Sequence, residues 1–167
     1  MAGNPSEATP LQALFLDSLK DIYYAEKQIL KALPKMADAA QSDALRAGLK
    51  EHREQTEEHV ARLEQIFELL DSPARGKTCQ AMLGIVEEGK EIMGEFNGTS
   101  ALDAGLIASA QAVEHYEIAR YGTLRTWAKR LGLAEAASLL ETTLGEEVAA
   151  DRKLTGLAEA EANRKGH

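Results

Sequence analysis

Leu106-Ile107-Ala108-Ser109-Ala110-Gln111-Ala112-Val113-Glu114-His115-Tyr116-Glu117 carries the residue on which the fold turns. Helical spacing puts Leu106, Ala110, Val113, Glu117 and Leu124 on one stripe, and such a stripe faces a core. Glu117 stands on it where a leucine is expected. A carboxylate buried there must be paired, protonated or bound to a metal. The same departure recurs in three other helical segments: at Glu26, at His52 with His59, and at Glu147 with Asp151. Four helices, each with a ligand-type side chain on the buried face, predict a metal site inside a bundle.

Composition agrees with an all-α fold. The chain has 167 residues, enough for one domain with a core. Ala, Leu, Glu, Lys, Arg and Gln dominate, and all are good helix formers. Val, Ile and Thr are sparse and never alternate over a useful run. The net charge is −8 and Lys and Arg are scattered, which argues against nucleic acid as a partner. Cys79 is the only cysteine, so no intrachain disulfide and no Cys-based zinc or iron–sulfur site can form. A lone cysteine fits a reducing compartment. No apolar run approaches the roughly 20 residues that span a bilayer. The segment Met1–Pro10 lacks the apolar and basic regions of a signal peptide. The expectation is a soluble, cytoplasmic protein with no membrane partner.

Residues 1–8 are expected to be flexible, 9–161 to form one domain, and 162–167 to be a flexible basic tail. A first helix is expected over about residues 9–40, with Thr9 as cap, Pro10 at its first position and a kink or break at Pro34. Its inward face includes Phe15, Leu19, Ile22, Glu26, Ile29 and Leu33. A second helix, about 43–70, turns Leu45, Leu49, His52, Thr56, His59, Leu63 and Ile66 inward. A shorter helix, about 79–96, lies in the long connection. Asn97-Gly98-Thr99-Ser100 is expected to cap the next helix, about 101–130. Gly132 makes a tight turn into a last helix, about 134–161. Two hairpins joined by a crossover with its own short helix match the one-crossover, ferritin-like four-helix bundle.

Hairpin symmetry tests whether the polar residues can meet. Glu117 and Glu147 are equidistant from Gly132 and so lie at one height. Glu114 is level with Ala150, next to Asp151. A turn near Gln41 sets Glu26 level with Thr56, within a helical turn of His52 and His59. Two metals about 3.5–4 Å apart could then be bridged by Glu26, Glu117 and Glu147. The expected Glu-x-x-His motif is absent. The second helix offers His52, Gln55 and His59, and the order of preference among them stays open. The donor set suits iron or manganese better than zinc. His115 falls off the inward stripe. Tyr121 and its neighbouring tyrosines read as packing, and Cys79 reads as a small buried hydrophobe.

Leu-Lys-Asp-Ile-Tyr-Tyr-Ala-Glu-Lys-Gln (19–28), Glu-His-Arg-Glu-Gln-Thr (51–56), Cys-Gln-Ala-Met (79–82) and Val-Glu-His-Tyr-Glu-Ile-Ala-Arg-Tyr-Gly-Thr-Leu (113–124) resemble the YciE/YciF-type ferritin-like proteins, the DUF892 family. The resemblance covers about residues 10–160. It implies a domain related to rubrerythrin, a stress-associated role and a homodimer. Glu114, Glu117 and Glu147 are similar in spacing to rubrerythrin ligands, and Asp151 falls where those proteins place a histidine. The expectation is a di-metal carboxylate protein with two ions, iron first, held by Glu26, His52, His59, Glu114, Glu117, Glu147 and Asp151. The Cys-rich rubredoxin module is absent, so peroxide turnover would require an external reductant. Two alternatives stand beside it: a non-catalytic helical interaction protein whose polar core is salt-bridged by Arg120, Arg125 or Arg152, and an iron-sequestering protein.

Overall fold

The computed structural model describes residues 8–165, and their regular elements are all helical. These are α1 (Pro10–Ala39), α2 (Asp43–Leu69), α3 (Gln80–Glu95), α4 (Leu102–Arg130) and α5 (Ala134–Leu157). None of them is long and apolar enough to cross a membrane. Thr9 caps α1 through a capping box: its hydroxyl accepts from the Gln12 N–H and the Gln12 side chain accepts from the Thr9 N–H. Gly132 ends α4 with φ 73°, which lets Leu133 donate to the Ala128 carbonyl at 2.9 Å and Gly132 to Lys129 at 3.2 Å. That closure sends α5 back antiparallel to α4.

Each long helix packs on two others, giving a closed ring α1–α2–α5–α4, and α3 lies outside against α1 and α4. The α3 helix sits close to α4 because Gly105 has no side chain. A Cβ there would stand 2.5 Å from Ile92 Cγ2. Apolar layers fill the bundle above and below its middle, with Phe15, Leu19, Ile22, Ile29, Leu63 and Leu124 each at most 1% exposed. Hydrophobic burial of this kind drives the folding of such a bundle.

Three expectations are corrected. Pro34 neither ends nor breaks α1, which continues to Ala39. Pro34 lies on the exposed face, where water can serve the carbonyl that loses its partner. Neither Thr99 nor Ser100 caps α4; its N-cap is Ala101, without a side-chain cap, and Thr99 donates back to the Phe96 carbonyl. The chain stays helical past 161, through a π-helical turn at Ala158–Ala162 and an α-turn at Asn163–Lys165. The flexible segments expected at 1–7 and 166–167 lie outside the described residues.

Asp103 fixes the topology. Its carboxylate accepts from the backbone N–H groups of Gln41 and Ser42, both at 2.8 Å. The start of α4 is therefore tied to the α1–α2 turn, and the crossover runs the length of the bundle. Asp103→Ala leaves both donors without this partner. It is expected to cost about 1–3 kcal/mol in urea denaturation.

Candidate metal centre

The six polar side chains at mid-height come from all four bundle helices. Glu26 is central in α1, and His52 and His59 lie two turns apart on one face of α2. Glu114 and Glu117 lie one turn apart on α4, and Glu147 is central in α5. Their exposures are 0% for Glu26, His59, Glu117 and Glu147, 1% for Glu114 and 7% for His52. They form two overlapping groups. Glu26, His59, Glu117 and Glu147 each offer an atom within 4.8 Å of the others, and so do His52, Glu114, Glu117 and Glu147. Glu117 and Glu147 belong to both groups. Glu26 belongs to one of them.

The inward atoms lack hydrogen-bond partners. This holds for both oxygens of Glu117 and of Glu147, Oε2 of Glu26 and Glu114, Nε2 of His52 and Nδ1 of His59. Some approach closely: His52 Nε2 is 3.0 Å from Glu114, and His59 Nδ1 is 2.8 Å from Glu147. Those oxygens lie off the ring N–H direction, so the contacts are not hydrogen bonds. Among the described residues no Lys or Arg forms an ion pair with these four carboxylates. Arg125 pairs outward with Glu141, Arg120 stacks over Tyr116, and Arg152 is exposed. The arginine partners of the salt-bridged alternative are thus turned away.

The outward atoms are well held. His59 Nε2 is 2.8 Å from Glu146, which Arg62 grips through two hydrogen bonds of 2.6 and 2.9 Å. His52 Nδ1 is 3.3 Å from the Gln55 side-chain oxygen. Each ring therefore has its outer nitrogen engaged, and in the neutral form the inner nitrogen carries the lone pair. The Tyr121 hydroxyl donates to Glu26. Tyr121 is thus a polar partner of the cluster as well as packing.

Electrostatics follow from this enclosure. Burial, then the charges of Glu147, Glu26 and Glu114, pushes Glu117 well above the usual carboxylate range. Burial and contact with Glu114 raise Glu147 against the opposing pull of His59. Burial lifts Glu114 to about 7. Burial opposes charge on His59, but Glu147 and Glu26 outweigh it and hold the ring up at about 10. Burial would raise Glu146, yet Arg62 and His59 bring it below the usual range. The four carboxylates, if ionised, match the charge of two divalent cations when the imidazoles are neutral. The partnerless inward atoms and the oxygen and nitrogen donors fit such a pair.

Asp151 is not brought into the cluster. It is i+4 from Glu147, at the bundle edge, where it meets His115 and Gln111, each at 3.1 Å. His115 is exposed, as its position off the stripe implied. Cys79 is buried, but its sulfur also caps α3 by accepting from the Met82 N–H and lies 3.1 Å from the Tyr116 hydroxyl. Sequence reasoning missed Arg62, Glu146 and Asp103. Arg62 and Glu146 read as surface charges, and their pairing spans 84 positions. The one signal for Glu146 was its place beside Glu147.

Residues 10–166 match the family described as "Domain of unknown function (DUF892)". Protein YciF of Escherichia coli (strain K12) is 42% identical over 156 residues, which are 93% of this chain and 94% of that protein. The crystal structure of the E. coli stress protein YciF superposes with a TM-score of 0.89 at 41% identity, covering 94% of this chain and 99% of that one. YcfI from Rhodopseudomonas palustris superposes with a TM-score of 0.86 at 45% identity, covering 91% and 97%.

The raised groups give the metal-free protein a definite pH dependence. Glu114, Glu117, Glu147 and His59 all hold protons more tightly folded than unfolded. Their stabilising effect is complete below the unfolded values, 4.5 for the carboxylates and 6.5 for the histidine, and is lost as pH rises through the folded ones. The Tm of the metal-free protein is expected to fall between about pH 5 and about pH 9. Glu117→Gln removes a buried ionisable group without a countercharge. It is expected to raise that Tm at about pH 8, by roughly 1–3 kcal/mol of stability; a fall would show that the carboxylate is held by a partner.

Proposed function

The chain belongs to the DUF892 family, and from that premise we propose that it is a ferritin-like di-metal carboxylate protein. It binds two ions, iron before manganese or zinc, and acts in a stress response by reacting with dioxygen or peroxide. The observation that carries this reading is the pair of four-ligand groups that share Glu117 and Glu147. The stress role is supported by the description of the E. coli relative as a stress protein.

Glu26 and His59 hold one position, Glu114 and His52 hold the other, and Glu117 and Glu147 serve both. When bound, a pair of iron ions supplies the electrons that reduce dioxygen or peroxide, and an external reductant restores them. Arg62 and Glu146 orient His59, Gln55 orients His52, and Tyr121 fixes Glu26. Asp151 is left out of the ligand set because its carboxylate faces His115 and Gln111. Glu114, titrating near 7, can hold a proton or release it at neutral pH. A homodimer in the cytoplasm completes the reading. Iron sequestration needs a multi-subunit shell, so finding a dimer in solution would count against it.

Anaerobic titration of the metal-free protein with Fe(II) tests the reading. Wild type is expected to take up two ions per chain. The Glu117→Ala/Glu147→Ala variant is expected to lose both ions together, and undiminished binding by it would sink the proposal. Glu146→Ala should keep the stoichiometry and weaken affinity about 10–100-fold, as loss of a residue that orients a ligand does.

A further inference from the structure

We propose that the two cation positions differ in access. The His52–Glu114 position is the open one, and a cavity between α2, α4 and α5 is the route by which a divalent cation reaches it. This rests on the di-metal reading and adds to it a path and an order of exchange.

The Glu26–His59 end is closed. Both side chains are 0% exposed, Glu146 and Arg62 cover the outer nitrogen of His59, and Tyr121 covers Glu26. The other end is not. His52 is the most exposed of the six residues at 7%. A cavity of about 100 Å³ reaches both His52 and Glu114, with Gly48, Gln55 and Ala150 among its walls. A water molecule occupies about 30 Å³ of liquid, so the cavity has room for a partly hydrated ion. Gln55, His52 and Glu114 offer replacement oxygen and nitrogen atoms from the wall to the cluster. Glu51 at the rim is paired with Lys153 at 2.5 Å, which offsets that lysine's charge.

A second cavity, of about 210 Å³ between α1, α3 and α4, also touches Glu114. It suits a cation poorly. Of the six cluster residues it touches Glu114 alone, and neither histidine, so an entering ion meets one ligand there where the smaller cavity offers two. Lys31, Lys35 and Lys90 also line it; Glu87 offsets Lys90 at 2.8 Å, but among the described residues Lys31 and Lys35 have no such partner, and like charge repels an incoming cation. The smaller cavity is therefore the cation route. An ion bound for the closed position passes the open one, handed on by Glu117 and Glu147, which belong to both groups.

The test follows Co(II) uptake by the full-length metal-free protein through stopped-flow absorbance, then its removal by a chelator. Wild type is expected to release one equivalent quickly and the other slowly. Ala150→Leu, which narrows the smaller cavity, should slow uptake about tenfold and leave the final stoichiometry unchanged. Ala32→Leu, in the larger cavity, should load at the wild-type rate. Gly48→Val narrows the same route from α2, where an added Cβ meets only ordinary contacts of 3.7 and 3.8 Å; it should reproduce the slowing if Ala150→Leu fails to fold. Release of both ions at one rate overturns the proposal. So does wild-type loading by the variants of the smaller cavity, or slowing by Ala32→Leu alone. A wild type that binds no Co(II) instead overturns the di-metal reading.

Discussion

The desolvation of Glu26, Glu114, Glu117 and Glu147 at one height of the bundle is the constraint that every other feature answers to. Removing an ion from water costs several kcal/mol even after the protein relaxes. A domain of this size has a net stability of only about 5–15 kcal/mol. Four ionised carboxylates without countercharge would therefore consume it. The carboxylates must keep protons or be neutralised by something positive. Among the described residues no lysine or arginine pairs with them, and a protonated His59, beside Glu147 and Glu26, offsets one charge of the four. The raised values of Glu114, Glu117 and Glu147 express the first solution, and the proposed pair of divalent ions is the second.

The rest of the architecture keeps the polar layer in place. Apolar layers on both sides supply the burial that offsets its cost. The Arg62–Glu146–His59 chain ties α2 to α5 at the height of the cluster, and the Tyr121–Glu26 bond ties α4 to α1. Asp103 makes a third tie at the end of the bundle, between α4 and the α1–α2 turn. Each tie is a polar contact between one hairpin and the other. Together they set the axial register of one hairpin on the other, which apolar packing alone specifies weakly.

Much of this was legible in the sequence because a helix buries one stripe. A carboxylate on that stripe is conspicuous, which is how Glu26, Glu117 and Glu147 stood out. Hairpin symmetry then gave their heights, since Gly132 and the turn near Gln41 act as fixed points. Glu114 and the two histidines followed from the same arithmetic. What remained hidden depends on rotation about a helix axis and on long-range pairing. Asp151, four residues from Glu147, is turned about 40° further round its helix, enough to leave the cluster for the edge. Glu146 looks like a surface charge until α2 is docked beside it. Pro34 looks like a helix breaker until its exposed side is known.

The crossover divides the six residues with a bias that bears on how the chain reaches its native state. The α1–α2 hairpin holds one carboxylate and both imidazoles; the α4–α5 hairpin holds three carboxylates. Contacts within a hairpin are close in sequence and form early, whereas those between hairpins close a long loop. Either hairpin can form while its carboxylates still face water. The electrostatic penalty thus arrives at the docking step, when the acidic face meets the face with the imidazoles. A cation present at that moment would act on the rate of assembly as well as on the stability of what is assembled.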